Sequence, residues 1–98
     1  VVLPTVPGGG RSAWAQYTLS VPRRDAVQAI LREEGVPSMV YYPKPLHVQT
    51  AFANLGYAPG DFPESMSAST RVLSLPMHPY MDAATQDRII AAVRKAVA

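Results

Sequence analysis

WAQYTLSVPRRDAVQAILREE, residues 14–34, changes its period once, and that change decides the fold class. Over its first eight residues polar and apolar side chains alternate. Ala15, Tyr17, Leu19 and Val21 point one way, and Trp14, Gln16, Thr18 and Ser20 point the other. Alternation with β-branched and aromatic content predicts a strand with one buried face. From Arg23 to Glu34 the repeat is helical, with Ala26, Val27, Ile30 and Leu31 on one stripe. Asp25 sits in the first turn, where negative charge is favourable, and Gly35 supplies a C-cap. A one-sided strand running into an amphipathic helix buries both apolar faces together, which is the basis of an α/β layer structure.

Moving towards the C-terminus, Val36 to Tyr42 predicts a second strand, closed by Pro43. Val48, Ala51, Phe52 and Leu55 follow the i, i+3, i+4, i+7 pattern and predict a short helix ended by Gly56. APGDFP (58–63) is a turn, and the small, polar residues 64–70 predict another helix. Val72 to Leu75 is a third, short apolar strand stopped by Pro76. Asp82 is placed to N-cap a last helix with the stripe Ile89, Ile90, Val93 and Val97, and with Arg94 and Lys95 near its C-terminal end. In the other direction, VVLPTVPGGGR (1–11) carries two prolines and three consecutive glycines and predicts a lead-in without regular structure. The expected architecture is a two-layer α/β sandwich over 12–98. Its sheet is small and three-stranded, antiparallel or mixed, with helices on one face.

Composition narrows the function. A 98-residue chain, 48% apolar and 16% charged, forms one globular domain with a thin core. The net charge of +2 rests on scattered arginines, with no basic run along a strand or helix face, so nucleic acid is not an expected partner. The absence of cysteine excludes disulfides, thiolate metal sites and a cysteine nucleophile. No apolar stretch reaches the length of a membrane span, and a cytoplasmic location is expected. Val1 in place of an initiator Met predicts a longer protein upstream.

The densest group of chemistry-bearing residues is YYPKPLHVQ, residues 41–49. Two prolines stiffen a loop that carries Tyr41, Tyr42, Lys44, His47 and Gln49. Hydroxyl, imidazole and amide groups on a rigid loop suit a polyol or a phosphate-bearing ligand. The alternative is that the tyrosines pack and the prolines only turn the chain. His78 in LPMHPY (75–80) presents the same choice between a ligand group and a turn cap. The two histidines have no HExxH spacing, GGG at 8–10 lacks the context of a phosphate loop, and there is no GxSxG. The only lysines are Lys44 and Lys95. Neither lies where burial would activate it for a Schiff base.

Four blocks carry a resemblance: SAWAQYTLSV (12–21), the Arg24–Asp25 pair, EEGVPSMVYYPKPLHVQTAF (33–52) and RVLSLPMHPYM (71–81). Together they resemble the DegT/DnrJ/EryC1/StrS family of sugar aminotransferases that use pyridoxal 5'-phosphate (PLP). The flavour is similar to members that aminate 3-keto nucleotide sugars, such as the UDP-2-acetamido-3-oxo-glucuronate aminotransferases of surface-polysaccharide pathways. The resemblance implies the small C-terminal domain of a fold-type I aminotransferase that works as a homodimer. Such an enzyme moves an amino group, usually from glutamate, to a keto nucleotide-sugar. It implies substrate contacts at Tyr42 and His47, with Tyr41 and Gln49 beside them. The cofactor and its lysine are then expected on an upstream domain, and this chain alone is expected to be inactive. A docking face left uncovered is expected to be apolar and prone to association. Two positions depart from the family pattern. Ala15 stands where relatives often carry histidine, and Met66 and Ser67 lie where many carry an acid, with Glu64 nearby. Two other classes stay open: a stand-alone module binding a small polar ligand, and, ranked last, a basic RNA-binding domain.

Overall fold

In the computed structural model, which describes residues 1–98, the alternating segment forms strand β1 at Tyr17–Ser20. It pairs antiparallel with β2 at Val72–Leu75, in the register Tyr17↔Leu75, Thr18↔Ser74, Leu19↔Leu73 and Ser20↔Val72. Side chains alternate across the ribbon. Leu19 and Leu73 therefore meet on one face and enter the core. Thr18 and Ser74 meet on the other and hydrogen-bond through their hydroxyls at 2.8 Å.

Helix α1 (Arg24–Glu33) and helix α3 (Ala83–Val97) complete the core with Val27, Leu31, Ile89, Ala92 and Ala96, joined by Val21 and Val36. The buried stripe of α3 is turned from the expected one. Ile89, Ala92 and Ala96 face inward, while Ile90 is exposed. On α1, Ala26 faces solvent and Arg24 takes the inward position with Val27 and Leu31. The end of α1 follows its glycine. Gly35 has φ +71°, its N–H donates to Arg32 O (3.0 Å), and Val36 N–H donates to Leu31 O (2.8 Å). This paired return satisfies the last carbonyls of α1 and brings Val36 onto Leu31. Asp82 caps α3 as its position predicts, accepting a hydrogen bond from Thr85 N at 2.8 Å. Helix α2 (Pro63–Arg71) lies where the small, polar residues predict a helix, and it runs directly into β2.

Two further expectations are corrected. The sheet has two strands, not three. The segment expected as a strand over 36–42 makes a single antiparallel bridge, Met39↔Ser74, with hydrogen bonds of 3.0 and 2.7 Å. The next bonded step in one direction would set Pro37 opposite Pro76, and neither has an N–H to give. In the other direction it would set Tyr41 opposite Val72. The Val72 N–H is already bonded to Ala68 O in the last turn of α2, and the Val72 carbonyl to Arg24. The second correction concerns the helix expected over 48–55. Two 3₁₀ turns, Leu46–Val48 and Thr50–Leu55, stand there instead, with no buried residue. Phe52 and Leu55 have the right spacing but meet no packed layer. A short helix without tertiary burial is marginal.

Residues 1–16 contain no helix and no strand, though Val2 exchanges two backbone hydrogen bonds with Ser20. The accessible surface is 7051 Å², against about 5,500 Å² for a compact monomer of this mass. The radius of gyration is 15.6 Å, against about 13 Å. Large apolar side chains contribute to this open surface: Tyr42, Leu46, Leu55, Tyr57 and Phe62 are all exposed.

Candidate functional site

The loop that leaves the sheet after Met39 is held by its own sequence. Pro43 and Pro45 fix two φ angles, and the 3₁₀ turn at Leu46–Val48 reverses the chain. The Gln49 side-chain amide then donates to Lys44 O at 3.1 Å and closes the loop on itself. His47 ties it to the next segment, its Nε2 lying 3.1 Å from Pro59 O. A carbonyl oxygen only accepts, so this contact assigns the proton to Nε2 and leaves Nδ1 as an acceptor when the ring is neutral. The His47 ring also packs on Phe62, with centroids 4.8 Å apart, and Phe62 meets Tyr57 edge-on at 5.1 Å.

Tyr41, Tyr42, His47 and Gln49 all line one cavity of about 470 Å³. The two tyrosine rings sit edge to face, 5.6 Å apart, across a cis peptide bond. Tyr42 is 69% exposed. The opposite wall comes from α2 and the turn before it: Phe62, Ser65, Ala68 and Ser69, with Val72 below. Sequence reading missed this wall. Ser65, Ala68 and Ser69 are small residues at i, i+3 and i+4, which leaves space on one helix face, but small polar residues carry little periodic signal. Ser69 uses its hydroxyl on Met66 O (2.8 Å).

The wall holds no carboxylate. Lys44 is the one lysine or arginine that lines it. Hydroxyls, an amide, an imidazole and aromatic faces without acidic groups suit a neutral polyol or an anion. The chain brings together no group of three His, Cys, Asp or Glu side chains that could hold a metal ion.

His78, the other histidine marked in the sequence, lies elsewhere. Its Nδ1 accepts from Tyr80 N at 3.2 Å inside the turn between β2 and α3, which is the role of a turn cap. Neither lysine offers a seat for PLP. Lys95 pairs with Glu34, whose carboxylate hydrogen-bonds the ammonium and holds its pKa above the usual 10.5. Lys44 is exposed on the Pro-Lys-Pro turn. A Schiff-base lysine needs the opposite surroundings, desolvated and free of a counter-ion.

The similarity to known proteins runs nearly the length of the chain. The family model described as DegT/DnrJ/EryC1/StrS aminotransferase matches residues 1–94. The chain is 44% identical over 90 residues to the pleiotropic regulatory protein of Geobacillus stearothermophilus, covering 92% of this chain and 24% of that protein. It is 42% identical over 90 residues to the UDP-2-acetamido-2-deoxy-3-oxo-D-glucuronate aminotransferase of Pseudomonas aeruginosa, with coverage of 92% and 24%. Among solved structures it superposes on a DegT DnrJ EryC1 StrS aminotransferase from Brucella abortus with a TM-score of 0.89 and 50% identity, over 98% of this chain and 26% of that one. On S. venezuelae DesV in complex with a ketimine intermediate the TM-score is 0.91 at 31% identity, over 96% and 25%. The chain thus spans about a quarter of the length of these relatives.

Proposed function

The chain belongs to the DegT/DnrJ/EryC1/StrS aminotransferase family, and from that premise we propose that its residues 12–98 form the C-terminal small domain of a PLP-dependent sugar transaminase. The full enzyme transfers an amino group, from glutamate, to a keto sugar carried on a nucleotide, in amino-sugar or surface-polysaccharide biosynthesis in the cytoplasm. The cavity under the 41–49 loop is this domain's share of the sugar site. Tyr42 and His47 contact the substrate, and Tyr41 and Gln49 complete the wall. One observation carries the reading: Tyr41, Tyr42, His47 and Gln49, spread over nine residues, converge on one cavity that has polar groups but no acid.

PLP, when bound, supplies the electron sink for amino-group transfer. Its lysine and its phosphate contacts lie in the part of the protein outside this chain, since Lys95 is paired and Lys44 is solvated. The exposed apolar residues of 42–62 are covered by that part, and the whole works as a homodimer. This domain binds and orients the sugar, and helps to keep water from it.

The test is an assay of the full-length protein with glutamate and 3-keto UDP-sugars, following release of 2-oxoglutarate. Turnover is expected in the full-length protein and none in residues 1–98 alone. Tyr42→Phe removes one hydroxyl, and kcat/KM should fall about 10-fold, the size of one lost hydrogen bond. A full-length protein that releases no 2-oxoglutarate with any keto nucleotide-sugar sinks the reading. So does a Tyr42→Phe, His47→Ala double variant with unchanged kcat/KM.

A further inference from the structure

Arg24 is the only charged side chain buried in this chain, at 8% exposure. Burying a guanidinium is costly unless its donors are used. A cation in the first turn of a helix is also opposed by the helix dipole. Its Nε donates to the neighbouring Asp25, whose carboxylate is exposed, and its Nη1 donates to Val72 O at 3.1 Å. The second contact lies at a particular place in the sheet. In an antiparallel ladder hydrogen-bonded pairs recur every second residue. With Met39 paired to Ser74, the next bonded pair in register is Tyr41 with Val72. The Val72 carbonyl would then take the Tyr41 N–H. Arg24 occupies that position, and the Tyr41 N–H has no protein partner. Tyr41 and Tyr42 instead turn over the cavity that Val72 lines.

We propose that Arg24 is a positioning residue: by taking the ladder position of the Tyr41 N–H at Val72, it holds Tyr41 and Tyr42 off the sheet and keeps the cavity between the 41–49 loop and α2 open. Without Arg24 the Val72 carbonyl is left unpaired, and the N–H in register to satisfy it is that of Tyr41. The tyrosines then swing back towards the edge of β2 and the cavity narrows. Only the identity of the cavity's ligand rests on the transaminase reading; the geometry of the loop does not.

The experiment uses the full-length protein and its Arg24→Met and Arg24→Lys variants. Backbone amide exchange is read at Met39, Tyr41 and Ser74, alongside calorimetric titration with UDP-N-acetylglucosamine as the probe. In the wild type the Tyr41 amide should exchange freely while Met39 and Ser74 are protected. In Arg24→Met the Tyr41 amide should slow by about 10-fold or more as it gains the Val72 carbonyl, and probe affinity should drop about 10-fold. Lysine retains a donor, so Arg24→Lys should stay near the wild type in both. General loosening speeds exchange, so slowing at one amide separates positioning from simple destabilisation. Faster exchange throughout 17–49 in Arg24→Met, or a Tyr41 amide already protected in the wild type, overturns the proposal. The wild-type measurement decides it even where Arg24→Met does not fold. Slowed Tyr41 exchange in a protein that never binds the probe leaves Arg24 in its role and removes the nucleotide-sugar reading instead.

Discussion

All twelve buried residues lie in 19–36 or 69–96, and none lies between Pro37 and Ala68. The two regions are similarly rich in apolar residues, so composition does not separate them. What separates them is whether an apolar residue has a second layer to face. Leu31 of α1 is fully buried in the core that β2 and α3 also supply, whereas Leu46 is 67% exposed on a 3₁₀ turn. The first region is a scaffold that satisfies itself. The second is a surface shaped by prolines and side-chain-to-backbone ties, such as Gln49 to Lys44 and His47 to Pro59, and it presents apolar and hydroxyl groups outward. Exposed apolar side chains gathered in one region mark a place where something else packs or binds.

The contrast is sharpest in a pair of leucine truncations. Leu31→Ala should lower the unfolding free energy of the chain by about 3 kcal/mol, because it opens a cavity at a fully buried position. Leu46→Ala should stay within about 0.5 kcal/mol. Urea unfolding of both variants checks this, and comparable losses would break the division between scaffold and surface. A smaller effect, still inside the scaffold, is expected at Gly35. Its φ of +71° costs an alanine about 1–2 kcal/mol. The new Cβ would also stand 2.9 Å from Arg88 Nη2 and displace a guanidinium that donates to Gly35 O at 3.2 Å. Gly56→Ala is the control in the other region: it has the same left-handed conformation, at φ +74°, but open space around the Cβ. The difference between the two variants isolates the loss of the Arg88 contact.

The same division governs how much the sequence discloses. β1, α1, β2 and α3 are readable because each announces itself locally, through alternation, a capping Asp82, a terminating Gly35 or a bounding Pro76. The missing third strand is not readable. Its failure depends on register: Pro37 falls opposite Pro76, and Val72 is already engaged from both sides. The inward face of α3 is misjudged for a different reason. Ala92 and Ala96 are weak hydrophobic signals, yet their small size lets α1 and α3 approach. In the site, the Pro-bracketed loop 41–49 stands out as a cluster of ligand-capable groups. The facing wall of Phe62, Ser65 and Ala68 does not, because a cavity is made as much by what is absent from a side chain as by what is present. The buried Arg24 follows the same logic, since nothing local marks an arginine as the replacement for a ladder bond.

The smallest effects separate ties within the scaffold from ties at its surface. Asp82 accepts from the Thr85 backbone N–H at 2.8 Å, and the Thr85 side chain and this N–H together hold its carboxyl below its ordinary value of 3.8. A depressed carboxylate stabilises the fold above its unfolded pKa, and that contribution is lost as pH falls through the folded value. Asp82→Ala should therefore lower the urea midpoint at neutral pH, with the gap to wild type closing once the pH is well below 3.8. Lys95 has the opposite sign. Glu34 raises its pKa above 10.5, so the contribution is complete at neutral pH and fades as pH climbs through the raised value. Both partners are substantially solvated, and exposed ion pairs are screened by salt. Lys95→Met should thus shift the midpoint only slightly at low ionic strength, and not at all in molar salt. The Asp82→Ala deficit should largely persist in that salt, because a short hydrogen bond to a helix N-terminus is a directional contact as well as a charge effect. A Lys95→Met loss that matches that of Asp82→Ala and survives molar salt would mean that the link between α1 and α3 depends on the ion pair rather than on Leu31, Ala92 and Ala96.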